Sequence, residues 1–296
     1  MASKHHLKEF TVTGKEPFRI SERKTTLKNS LYSGKSDYRK KLAATTKEID
    51  DLQNMMYAHD RHAMLIIFQA MDAAGKDGTI RAVLSGVNPH GVTVHSFKRP
   101  TSLELDHDFL WRTNLAMPER GRLSIFNRSY YEEVLVTRVH PEIVTDVQRL
   151  PEESTEDMDA LWKSRYESIR TLEKFMHANG TQVVKFFLNL SKEEQRQRFL
   201  DRLNTPSKNW KFAEADVKER GFWGDYMEAY EKAINETATK DAPWYVIPAD
   251  DKKDMRLIVS EIILERLRGL KMAYPARDKD RREVLDRYRK LLEEEA

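Results

Sequence analysis

Apolar residues in this chain follow two rhythms, short unbroken runs and helix-spaced stripes, and the two alternate. Met64 to Phe68 is a run of five with glycine-bearing sequence close behind it, the form of a strand buried on both faces of a parallel sheet. Val92 to Phe97, Leu123 to Phe126, Gln182 to Leu190 and Trp244 to Ile247 repeat the form, with helix-length stretches between them. Such alternation predicts an α/β fold: about five parallel strands, helices on both faces, right-handed crossovers, and ligands at the carboxyl ends of the strands.

The stripes place the helices. Asp37 to Tyr57 spaces Leu42, Ile49, Leu52, Met55 and Met56 along one face, and Asp159 to Ala178 does the same with Leu161, Tyr166, Ile169, Leu172, Phe175 and Met176. Ser154 and Asp157 suit the N-terminus of the second helix. Ser191 with Glu194 reads as a capping box opening a basic helix that carries Arg196, Arg198 and Arg202 directly from a strand end. Residues 1–33 are polar without sustained period and read as an arm. Residues 277–296 hold seven basic and seven acidic side chains and read as an exposed, salt-bridged helix. No repeat or linker divides the remainder. The expected organisation is an arm (1–33), one domain (34–272) with a lid near 191–222, and a charged tail (273–296).

Composition narrows the possibilities. The 296 residues are 40% hydrophobic and 33% charged, enough apolar material for a core beneath a heavily solvated surface. With 51 basic and 48 acidic residues the net charge is only +3, so affinity for an anionic partner has to come from local clusters. The absence of cysteine excludes disulfides, thiolate metal sites and cysteine nucleophiles. Neither a signal-like start nor an apolar stretch of ~18 residues is present, which predicts a cytoplasmic protein with no membrane partner. His5, His6, His62, His90, His95, His107 and His140 lack metal-ligand spacing, and no nucleic-acid-binding motif stands out.

The candidate chemistry begins behind the first strand. Gln69 to Thr79, QAMDAAGKDGT, aligns with G-x-x-x-x-G-K-[ST] at Gly75 and Lys76, but Ala70 replaces the first glycine and Asp77 the hydroxyl residue. Ala73, Ala74 and Gly75 are small enough for backbone N–H groups to converge on phosphate oxygens. Asp77, Gly78 and Thr79 continue into a helix whose positive end adds to the site, and Lys76 supplies a point charge. Asp72 reads as a carboxylate for magnesium. Alone, the segment could equally be a strand-to-helix turn with an exposed lysine; its place between a buried strand and a helix favours phosphate.

A second cluster follows Leu123 to Phe126, in the position of a Walker B motif. The strand ends on neutral Asn127 rather than an acid, so metal neutralisation would lean on Asp72 and Glu132. Arg128 and Glu132, four apart, could form no more than a surface ion pair. Strand-end placement favours instead a role for Arg128 on the oxygens of a phosphoryl group in transfer, with Arg138 further along. Lys98, Arg99 and Arg112 follow or face the second strand, where the phosphate of an acceptor nucleotide would lie.

QAMDAAGKDGTI, FNRSYYEEVLVTRV and LSKEEQRQRFLDRL, in that order, resemble the polyphosphate kinase 2 family from about Asp37 to Leu270. GVNPHGV, PTSLE and APWYVIPAD are also similar to it. The resemblance implies a thymidylate-kinase-like P-loop fold, a three-layer sandwich with a helical lid, in which inorganic polyphosphate and a nucleotide exchange a phosphoryl group with Mg2+, or Mn2+ in its place. Carried onto this chain, it makes Asp72 and Lys76 the Walker A acid and lysine, Asn127 and Arg128 the Walker B pair, and Arg198 and Arg202 the lid arginines. Glu132 and Arg138 fall at motif positions, and Lys208 and Lys211 would extend a polyphosphate track. Asn127 with Tyr131 and Glu132 looks like the subgroup that accepts both AMP and ADP, GMP and GDP being further candidates. The family also implies a homo-oligomer, dimer or tetramer. An ATP-dependent nucleotide kinase and a non-catalytic polyanion-binding protein are the rival readings.

Overall fold

The computed structural model describes residues 7–276 and 278–295, so His5 and His6 lie outside it. Six strands form one sheet in the order β1 (Thr11–Val12), β6 (Trp244–Pro248), β5 (Thr181–Asn189), β2 (Ala63–Gln69), β4 (Leu123–Asn127), β3 (Val92–Ser96). The five expected strands, β2 to β6, pair in parallel. The sixth is a correction to the plain arm: Thr11 and Val12 pair antiparallel with Tyr245 and Trp244, and Phe10, Val12 and Phe18 are buried. A two-residue strand has no periodicity to detect.

The central strands explain the layers. All seven residues of β2 are buried, and its pleat sends Met64, Ile66 and Phe68 to one core and Leu65 and Ile67 to the other. The first core is closed by α1 (Lys35–His59), α2 (Lys76–Val83) and α8 (Lys252–Arg268), the second by α3 (Glu132–Val139), α4 (Met158–Ala178) and α7 (Trp223–Thr237). Between β5 and α7 come α5 (Lys192–Leu203), a 3-10 turn over Pro206–Lys211 and α6 (Glu214–Glu219), in the span expected for a lid. The tail forms α9 (Lys279–Glu294). No helix among the described residues is long and apolar enough to cross a membrane.

Two caps differ from expectation. Asp157 alone caps α4, accepting from the N–H groups of Asp159 and Ala160, while Ser154 belongs to a separate short turn. Ser191 accepts from the Glu194 N–H as expected, but the Glu194 carboxylate is drawn to Arg198 Nε at 2.7 Å, and the Ser191 N–H is taken by Asp250. The box is thus half formed because a buried guanidinium outcompetes a backbone N–H for the carboxylate.

The chain leaves β2 toward β3 and β4 on one side and later fills the other side with β5 and β6. The loop after β2 therefore opens at the switch point, where the flanking connections diverge and leave a crevice.

Candidate active site

The loop over residues 70–75 is shaped by backbone that few residues tolerate. Ala73 (φ 62°) and Gly75 (φ 104°) are both left-handed, and a Cβ on Gly75 would stand 3.4 Å from Met255 Cε and 3.7 Å from Arg198 Nη1. Lys76 then opens α2. Its ammonium is buried and folds back to donate to the Ala70 carbonyl at 2.8 Å. Burial and then the Arg128 charge push its pKa below the ordinary lysine value, against the pull of Asp72, Glu132 and Asp77. Asp77 and Gly78 face the cleft, but Thr79 does not. It is fully buried with its hydroxyl 3.9 Å from Met255 Sδ, so the expected Thr79 contact to phosphate is corrected to packing.

At the end of β4, Asn127 Nδ2 donates to Asp77 Oδ1 at 2.8 Å. The two departures from the ordinary Walker pattern therefore meet: the acid missing from the strand end stands at the start of α2, facing a neutral donor. Arg128 has φ 64° and its N–H donates to the Phe68 carbonyl, which ties the β4 end to the β2 end. Its guanidinium lies between Asp72 (2.7 Å) and Glu132 (3.1 Å). Glu132 foremost, and then Asp72, raise its pKa against the effect of burial. This is more than a surface pair within a helix, because Asp72 joins it from another element.

Arg198 is redirected most strongly from expectation. It is buried, and its guanidinium donates to the carbonyls of Ala73, Ala74, Ala249 and Asp250 and to Glu194. With these bonds in place it braces the loop from behind and has no free edge for a phosphate chain. Arg202 and Lys211 do line the cleft, Arg202 pairing with Asp216 at 3.2 Å. Lys208 is exposed on the 3-10 turn and outside the lining. Arg138 is turned toward Tyr166, whose pKa burial pushes up to about 12 and the Arg138 charge pulls back, so it too lies outside the cleft.

The cleft encloses about 520 Å³ between the loop, Asn127, Arg128, Arg202 and Lys211. A neighbouring chamber of about 430 Å³ shares Phe97, Lys98, Arg99 and Arg128 with it and extends to His140 and Glu219. Lys98 and Arg99 thus stand where the two spaces join. Arg112 is set into the wall: its Nη1 donates to the Lys98 carbonyl at 2.7 Å and its guanidinium lies over the Phe97 ring. Glu133 beneath it is buried, and desolvation raises its pKa against the lowering effect of Arg165.

Several residues escaped sequence reasoning. Gln195 bridges the Asp72 carbonyl and Arg220, linking the loop to the turn after α6. Glu219 of α6 takes a hydrogen bond from Tyr226 at 2.6 Å and meets His140 at 2.9 Å. Under the 127–132 segment, Lys185 is fully buried against Glu173 at 2.6 Å, and the Tyr130 and Tyr131 hydroxyls donate to the same carboxylate. Burial lowers the Lys185 pKa, and Glu173 opposes this. A lysine inside Val183 to Leu188 was the available signal.

The model of the polyphosphate kinase 2 (PPK2) family matches residues 32–275. An ADP-polyphosphate phosphotransferase of Rhodopseudomonas palustris is 55% identical over 262 residues, 88% of this chain and 90% of the relative. An AMP/ADP-polyphosphate phosphotransferase of Meiothermus ruber is 46% identical over 247 residues, 83% and 87% of the two chains. The crystal structure of Polyphosphate Kinase 2 from Arthrobacter aurescens TC1 superposes with a TM-score of 0.83 at 35% identity, covering 94% of this chain and 96% of that one.

Proposed function

The chain belongs to the polyphosphate kinase 2 family, and from that premise we propose that it passes phosphoryl groups from inorganic polyphosphate first to AMP and then to ADP. The observation that carries the reading is Arg128 held between Asp72 and Glu132 beside the phosphate loop, at the junction of two chambers. The AMP-plus-ADP range draws on the Meiothermus ruber relative, on Asn127 at the cleft and on Glu132 in the neighbouring chamber. Tyr131 is buried and acts on acceptor choice only through the backbone it anchors.

In this reading the loop N–H groups and Lys76 hold the end of the donor, while Arg202 and Lys211 follow the chain outward. Lys98 and Arg99 hold the acceptor phosphate. An oxygen of that phosphate attacks the terminal phosphorus, and polyphosphate one unit shorter leaves. Alignment and charge neutralisation are the main demands of such a step, so no nucleophilic side chain is needed. Arg128 exchanges a carboxylate for the phosphoryl oxygens as charge spreads over them.

Asp72 and Asp77 offer hard oxygen donors at the cleft, and no group of three metal-ligating side chains gathers among the described residues. That donor set suits Mg2+, which takes one or two carboxylates with water and substrate phosphates; Mn2+ fits the same set. Bound there, the ion would neutralise phosphate charge. Glu132 is less suited than Asp72, since Arg128 occupies one of its oxygens and the Gln69 amide, turned as its neighbours dictate, the other. We further propose closure of residues 191–222 over the cleft to exclude water, a cytoplasmic location, and self-association.

Polyphosphate as sole donor, offered with AMP, ADP, GMP or GDP and followed by ³¹P NMR, tests the reading. ATP is expected from AMP by way of ADP. ADP accumulating without ATP would sink the second step, and turnover that requires ATP would favour an ordinary nucleotide kinase. Binding without turnover would favour a polyanion-binding protein.

A further inference from the structure

The helix α9 lies beyond residue 275, where the family match ends, and residues 271–276 before it carry no regular structure. It is N-capped by Asp278, which accepts from the Arg281 N–H at 2.7 Å. Val284, Leu285, Tyr288, Leu291 and Leu292 recur at helical spacing along one face, and Tyr288, Leu291 and Leu292 are 54%, 48% and 65% exposed. A helix of 16 residues gains little from propensity alone, so an apolar stripe of this length gains stability from a partner surface.

We infer that this stripe pairs antiparallel with the same helix of a second copy of the chain. The charge pattern selects that occupant. Lys279 to Lys290 carries six basic and three acidic residues, whereas Glu293 to Glu295 is acidic only. If a two-fold axis passes at Tyr288, residues equally far on either side of it face one another across the pair. Arg281 and Glu295, about 20° from the Tyr288 direction round the helix, then meet across the seam, as do Val284 and Leu292 at about 40°, and Leu285 and Leu291 flank it. A parallel pair would set each acidic end against its twin and each basic half likewise, which is unfavourable. The inference names a surface for the self-association proposed above and does not depend on the phosphotransfer reading. A contact between two such short helices is at the weak end of specific interfaces, so association through it should rise with protein concentration.

The chain has no cysteine, so one introduced thiol reports on one position. Under mild oxidation, Tyr288→Cys in the full chain is expected to give a disulfide-linked dimer on a non-reducing gel, because the two copies of that position face each other at the axis. Glu294→Cys is expected to stay uncrosslinked, since its two copies would lie about 18 Å apart along the helices, too far for a disulfide. Adding Leu292→Glu to Tyr288→Cys should abolish the crosslink. Crosslinking at both positions would mean parallel pairing or random collision and overturns the inference. So would a Tyr288→Cys chain that stays monomeric on the gel, the result if α9 folds back onto its own domain.

Discussion

Two ion-pair clusters are fed by the same five residues after β4, 128–132, and they are opposites. Arg128 with Asp72 and Glu132 is partly exposed, its side chain at 38%, while Lys185 with Glu173, Tyr130 and Tyr131 lies sealed one layer below. In the open cluster an incoming anion can replace a carboxylate, because water and ions reach the charges. In the closed one no exchange is possible, and the charges are worth keeping only while every partner is present. The same segment is thus pinned from beneath and adjustable above.

The comparison can be broken first at its open end. Arg128→Ala should lower polyphosphate-dependent turnover by about 10³-fold or more with a small change in melting temperature, read by steady-state kinetics beside calorimetry. The reverse is expected below. Lys185→Met should cost about 3–5 kcal/mol of stability in a denaturant titration, and Lys185→Met/Glu173→Leu should be more stable than the single variant because no lone charge is then buried.

A finer test concerns coupling between Lys76 and the open cluster. Burial and Arg128 hold the Lys76 pKa down while Glu132 is one of the groups holding it up. Glu132→Gln removes an upward influence, so Lys76 should lose its proton at lower pH and the alkaline fall of kcat/KM should begin earlier than in the wild type. The smallest effect is expected from Thr79→Val, which leaves turnover within about two-fold; a loss of orders of magnitude would return Thr79 to the phosphate.

The strands, the cleft and most of its charges were legible because buried runs and a glycine-lysine turn are local signals. Arg198 was not. On α5 it resembles its exposed neighbour Arg196, and only the fold brings four carbonyls from two distant segments to it. The Asn127 to Asp77 bond spans fifty residues and explains two motif departures that looked unrelated in the sequence. Lys185 was visible as a charge in an apolar run, but its partner Glu173 sits on α4, inside a stripe where an acid usually faces water.

The arm that looked like loose polar sequence is mechanically in series with the phosphate loop. The carbonyls of Arg23 and Lys24 hold the Asn189 amide, and the Thr25 carbonyl holds the Asp250 N–H; the Ala249 and Asp250 carbonyls hold Arg198, which holds Ala73 and Ala74. Tension or slack introduced near residue 24, by a cut or a bulky fusion, is handed through these links to the curvature of the loop. Thr25 thus stands three hydrogen-bonded links from the loop that would hold an anion.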